Sequence, residues 1–101
     1  MHCKEPEKTL FNDLSEAETQ KWMKVLQPQP AEGWNATTTY TGWLHVPSVY
    51  VIAKQDNCIP VPFQTQMAQA AGCKVLEIDA GHMLQLSKPD EVVEIITKEA
   101  S

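Results

Sequence analysis

No apolar run in these 101 residues approaches the roughly 20 needed to span a membrane, and no signal-peptide core follows Met1-His2-Cys3-Lys4-Glu5. A basic face is missing too. Lysine and arginine total 8 against 13 acidic residues, a net charge of −5, so neither nucleic acid nor an anionic lipid surface is an expected partner. Cysteine is scarce and poorly spaced for crosslinking: Cys3, Cys58 and Cys73 are an odd number with no Cys-x-x-Cys. That pattern argues against a disulfide framework or a structural zinc site, and for thiols in a reducing compartment. Together these absences set the expectation of a cytoplasmic chain that does not enter a membrane. Asn35-Ala36-Thr37 matches a glycosylation sequon but lacks the secretory signal that would give it a use. What remains is 43% apolar and 21% charged, ordinary for a globular domain or part of one, with material for a modest core.

Residues 1–13 mix charge with proline, show no clear period, and are read as loop. Ser15-Glu16-Ala17-Glu18 then forms a capping box, in which Ser15 accepts the Glu18 N–H and the Glu18 carboxylate reaches back. The helix it opens places Trp22, Met23, Val25 and Leu26 on one side, with Lys21 and Lys24 near the negative end of the helix dipole, and Gln27-Pro28-Gln29-Pro30 stops it. Residues 31–46 hold two tryptophans and four threonines without a stable period. Such aromatics bury against something, and packing into the chain's own core is the expectation, with a pocket wall as the alternative.

The organisation is clearest from Pro47 to Pro89. Val49-Tyr50-Val51-Ile52-Ala53 is a nearly continuous apolar run, which marks a strand covered on both faces. Asp56-Asn57 breaks it. Pro60 and Pro62 open a helix whose apolar face is Phe63, Met67 and Ala70 or Ala71, and Gly72 stands where a left-handed cap belongs. Lys74-Val75-Leu76-Glu77-Ile78 is a second strand, so the unit is βαβ with parallel strands. Gly81 suits a turn that is tight or has positive φ, and Ser87 with Asp90 caps a last helix striped by Val92, Val93, Ile95 and Ile96.

Asp56 and His82 therefore both lie just past a strand's carboxyl end, the edge of an open α/β sheet where sites are built. A carboxylate there can accept Nδ1–H, fix the imidazole tautomer, and leave Nε2 to take a proton from a nucleophile. Asp79 is a rival acid, though its closeness in sequence to His82 suits a strand-end cap or a solvated residue better. A metal held by Asp56, Asp79 and His82 lacks convincing ligand spacing, so no metal and no cofactor are expected. His2 and His45 have no partner pattern and read as surface or loop residues; Cys58 reads as a buried inert thiol, or as a modifiable one beside the acid turn.

D-N-x-I-P-x-x-F-Q-x-x-M after the first strand and G-H-M-L-x-L-S-K-P after the second closely resemble the carboxyl-terminal segment of α/β-hydrolases. The branch resembled is that of plant methyl esterases, hydroxynitrile lyases and their microbial relatives. The resemblance implies that Asp56 and His82 are the triad acid and base. It also implies an α/β fold class: the C-terminal βαβα portion of an α/β-hydrolase sheet, two parallel strands with flanking helices. Residues 47–101 would form that core portion, and residues 1–46 the end of the helical cap and a linker. In the lyase members a lysine follows the histidine; here Met83 does, which disfavours cyanide handling and leans toward ester hydrolysis without a cofactor. Met83 and Leu84 either line an apolar acyl pocket or pack beneath the last helix.

One departure from that pattern governs the functional expectation. The family's nucleophile sits in G-x-S-x-G, and none of Ser15, Ser48, Ser87 and Ser101 has a glycine two residues away on each side, the glycines being Gly33, Gly42, Gly72 and Gly81. Backbone oxyanion donors, which come from earlier loops, are missing with it. The expectation is an ester-hydrolase segment that is inactive alone, whose intact relatives act on small esters. The alternatives are a non-catalytic module that self-associates through an exposed strand edge, and a hydrolase of amides or lactones.

Overall fold

The computed structural model describes residues 4–101; His2 and Cys3 lie outside the described residues. The chain opens with a one-turn helix α1 (Pro6–Thr9), where proline at the first helical position costs no hydrogen bond. The sequence reading of this region as loop is corrected to that extent. Phe11 follows and is buried, which seats the segment on the rest of the chain. Helix α2 (Glu16–Met23) begins at Ser15, whose Oγ accepts the Glu18 N–H at 3.2 Å. The carboxylate of Glu18 departs from the expected reciprocal bond and accepts the Trp22 indole N–H at 3.1 Å, one turn along the helix. Because α2 stops at Met23, Val25 and Leu26 fall outside it and are exposed, so the expected apolar stripe ends three residues early.

Residues 24–40 are exposed throughout and lead through a 3₁₀ turn (Gly42–Leu44) into the sheet. Trp34 and Trp43 do not enter the core as expected: they are 61% and 48% exposed. The Trp34 indole satisfies its N–H locally on the Pro30 carbonyl.

Strands β1 (Val49–Ala53) and β2 (Lys74–Ile78) pair in parallel, with Val51 opposite Leu76 and Ala53 opposite Ile78. They are joined by α3 (Val61–Ala71), which runs from the proline pair to Gly72 in the left-handed region at φ 68°. This is the expected βαβ unit. The Gly72 cap closes α3 with its N–H on the Gln69 carbonyl, and the Cys73 N–H reaches back to the Ala68 carbonyl. One sheet face carries Ala53 and Ile78; with Ala80 they form the core, against which Val51, Leu84, Val92 and Ile95 pack. Leu84 belongs to a short helix α4 (Leu84–Ser87), and Val92 and Ile95 to α5 (Pro89–Glu99). Of the expected α5 stripe, Val93 and Ile96 point to solvent instead. Ser87 does not cap α5, which starts from Lys88 with proline at its first turn. Among the described residues no helix is long and apolar enough to cross a membrane.

Helix α3 buries a different face from the one its sequence suggested. Gln64 and Ala68 are buried, whereas Phe63 is exposed. The reason is a hydrogen-bonded clasp at the end of β1. Gln64 Oε1 accepts the Ala53 N–H at 3.0 Å, and Gln64 Nε2 donates to the carbonyls of Ala53 and Ile59 at 3.1 and 2.8 Å. A single buried amide thus satisfies backbone groups on both sides of the turn that carries Asp56, as buried polar groups require. Replacing it with leucine of similar volume strands the Ala53 N–H. Gln64→Leu is therefore expected to lower unfolding stability by about 1–3 kcal/mol, read as a fall in the urea midpoint; an unchanged midpoint would show that the clasp is dispensable.

Candidate active site at the strand ends

Inter-strand hydrogen bonding continues beyond the last paired strand residues. The Lys54 N–H donates to the Ile78 carbonyl and the Gln55 N–H to the Ala80 carbonyl, both at 2.9 Å. The two loops therefore leave the sheet side by side, one carrying Asp56 and the other His82. Asp56 then turns the chain: its Oδ1 accepts the backbone N–H groups of Cys58 at 2.7 Å and Ile59 at 2.9 Å, an Asx-type turn that fixes the plane of the carboxylate. Its other oxygen, Oδ2, lies 3.0 Å from His82 Nδ1. The Asp56 side chain is 6% exposed and that of His82 26%, so the acid is enclosed while the imidazole reaches the surface.

An ionised carboxylate has only acceptors to offer, so the imidazole nitrogen facing it is the donor. In a neutral ring that places the proton on Nδ1 and leaves the lone pair on Nε2. The pair spans 26 residues of sequence and is brought together by strand pairing rather than by local geometry. Asp79, the rival acid, is exposed and accepts the Gln55 side-chain amide at 3.0 Å. Cys58 is exposed rather than buried, and His45 is exposed with its ring stacked on Tyr40 at 5.2 Å. Leu84 joins the core beneath α5, and Met83 is half-buried where α4 starts. Among the described residues no three His, Cys, Asp or Glu side chains are grouped to hold a metal ion.

Several contacts of the site have no signal in the sequence. Asn57 Nδ2 donates to the Lys8 carbonyl at 3.1 Å, Asn12 Nδ2 to the Gln55 carbonyl at 2.7 Å, and the Gly81 N–H donates to Asp13 Oδ2 at 2.7 Å. The segment before α2 thus laces across both loops. Gly81 has no positive φ; the space a Cβ would take there is occupied by the side chains of Asn12 and Asp13, with Asp13 Oδ1 at 2.6 Å. An open groove of about 660 Å³ lies elsewhere, between the start of β1 and the end of α3, lined by Trp43, Val49, Tyr50, Met67 and Ala70. Neither Asp56 nor His82 borders it.

The sequence over residues 3–95 matches the alpha/beta hydrolase family. It is 34% identical over 80 residues, 77% of the chain, to the alpha/beta hydrolase nvfD of Aspergillus novofumigatus (strain IBT 16806), an overlap covering 32% of that protein. The fold is similar to the crystal structure of polyneuridine aldehyde esterase, with a TM-score of 0.82 over 95% of this chain, 40% of that chain, and 22% identity. The chain therefore spans about a third of the curated relative's length.

The charge on Asp56 is felt at Tyr50. Burial raises the phenol pKa above its ordinary value, and the Asp56 carboxylate raises it further. A folded-state pKa above the unfolded one means that stability is retained below the ordinary phenol range and lost as pH climbs through the raised value. In a Tyr40→Phe background, ultraviolet titration is expected to place Tyr50 ionisation lower in Asp56→Asn than with Asp56 intact. Coincident curves would show that the two groups do not interact.

Proposed function

The chain belongs to the alpha/beta hydrolase family, and from that premise we propose that it supplies the acid and base, Asp56 and His82, of an ester-hydrolysing site. The observation that carries this reading is the 3.0 Å approach of Asp56 Oδ2 to His82 Nδ1 at the carboxyl ends of two parallel strands. The likeness to a protein named as an esterase supports the reaction class.

In this reading His82 Nε2 takes the proton of a serine hydroxyl as its oxygen attacks the ester carbonyl. The imidazolium that forms is stabilised by Asp56, and its proton passes to the departing alcohol as the tetrahedral intermediate collapses. Water then repeats the sequence on the acyl-serine: His82 takes its proton, the acyl–oxygen bond breaks, and the serine is reprotonated. No cofactor enters these steps. The substrate is a small carboxylic ester, and Met83 beside His82 offers a thioether where a cation would be needed to hold cyanide, which favours hydrolysis over cyanohydrin cleavage. Residues 1–46 belong in this reading to the end of the cap and its linker. The serine itself stands outside these residues, since no G-x-S-x-G is present.

Fluorophosphonate labelling and turnover of p-nitrophenyl acetate test the assignment. The 101-residue chain is expected to remain unlabelled. A longer protein joining it to a G-x-S-x-G segment is expected to label and turn over, with Asp56→Asn or His82→Ala reducing the rate by about 10²–10⁴-fold. Labelling of the short chain would overturn the absence of a nucleophile, and undiminished turnover in the variants would overturn the two roles.

A second reading, association through an open sheet edge, is favoured by the two-stranded sheet together with the exposed Trp43, Val49 and Val75. Strand edges with apolar flanks are templates for pairing, whereas a net charge of −5 offers no attraction to nucleic acid or an anionic lipid surface. Sedimentation equilibrium is expected to show concentration-dependent dimer, weakened by Val49→Lys; a monomer at all concentrations counts against self-association.

A further inference from the structure

We propose that the dipeptide Asn12-Asp13 positions the acid and base relative to each other; the role assigned rests on the reading of Asp56 and His82 given above. Asn12 Nδ2 donates at 2.7 Å to the Gln55 carbonyl, which belongs to the same peptide unit as the Asp56 N–H. Asp13 Oδ2 accepts at 2.7 Å from the Gly81 N–H, one peptide unit before His82. Two adjacent residues therefore grip the two loops, and the short backbone between them sets how far apart those loops stand. A third tie, Asn57 Nδ2 to the Lys8 carbonyl, anchors the same segment on the far side of the acid turn.

Two further observations separate this from an ordinary surface contact. Asn12 Oδ1 and Asp13 Oδ1 are buried without a hydrogen-bond partner, a costly arrangement that apolar side chains would avoid. What the polar pair contributes in exchange is its bonds to the two loops. Second, Gly81 has a φ open to any residue, yet the space for its Cβ is filled by Asn12 Oδ1 and by Asp13, whose Cγ lies 2.9 Å from the Cβ position. The glycine before His82 and the dipeptide thus fit as a matched set. Asn12 and Asp13 bond to backbone groups of the loops and not to the His82 ring, so their action on the imidazole passes through loop geometry.

The readout is the tautomer of His82 in the ¹⁵N-labelled 101-residue chain, taken from long-range ¹H–¹⁵N spectra and assigned with His82→Gln. The native chain is expected to hold the Nδ1–H form, and Asp56→Asn to lose that bias. Asp13→Leu and Asn12→Ser are expected to shift the tautomer ratio toward Nε2–H by about tenfold, the scale of losing one hydrogen bond. Asp13→Asn, which keeps an acceptor for the Gly81 N–H, is expected to retain the native ratio, as a role in folding alone would not require. Circular dichroism checks that each variant folds; if Asp13→Leu does not, Asn12→Ser decides. Native ratios in the folded position-12 and position-13 variants overturn the positioning role while leaving the Asp56–His82 pairing standing. Absence of the Nδ1–H bias in the native chain overturns the pairing itself.

Discussion

The strand ends depend on how the Asp56 carboxylate is divided. One oxygen is held by the backbone amides of Cys58 and Ile59, and the other is left to face His82. With both oxygens free, rotation of the carboxylate would let the imidazole choose among several geometries. With Oδ1 fixed, Oδ2 has one direction to point. The remaining structure serves that restraint: the parallel register delivers both loops to the same edge, and the Gln64 amide closes the turn from beneath. Charge-assisted bonds of this kind are roughly twice as strong as neutral ones, so the geometry that aligns them has energetic weight.

The parts legible in the sequence were those governed by local periodicity or short motifs. Val49–Ala53 and Lys74–Ile78 are strands because their apolar runs are bounded by turn residues, and Gly72 caps α3 because left-handed backbone selects glycine. Asp56 and His82 stood out because each follows a strand, and the family motif gave each a chemical meaning. The parts that were not legible depend on contacts distant in sequence. Asn12 meets Gln55 across 43 residues and Asp13 meets Gly81 across 68, and no periodicity within residues 1–13 hints at either. Gln64 was visible only as a member of a motif; its three bonds need the end of β1 in place.

The aromatic expectation failed for a related reason. Burial of a tryptophan is a statement about what lies opposite it, and for Trp43 that is an open groove shared with Val49, Tyr50 and Met67. Phe63 is exposed on α3 for the same reason that Gln64 is not: the helix turns toward the end of β1 where backbone groups need partners. Gln64 and Ala68 form the buried face of that helix, and the Gln64 amide there meets backbone groups whose stranding would be costly.

The exposed run of residues 24–40 has a consequence that reaches the strand ends. It is the covalent tether between the segment that holds Asn12 and Asp13 and the sheet whose loops they grip. A covalent connection raises the effective concentration of one end at the other, so the bonds of Asn12 and Asp13 to the loops form within one chain rather than between two pieces. A cut within it would leave the bonds at the strand ends chemically intact but would make them bonds between two pieces, held together by those ties and by the buried Phe11. The exposed connection thereby contributes to the geometry at the strand ends without touching them.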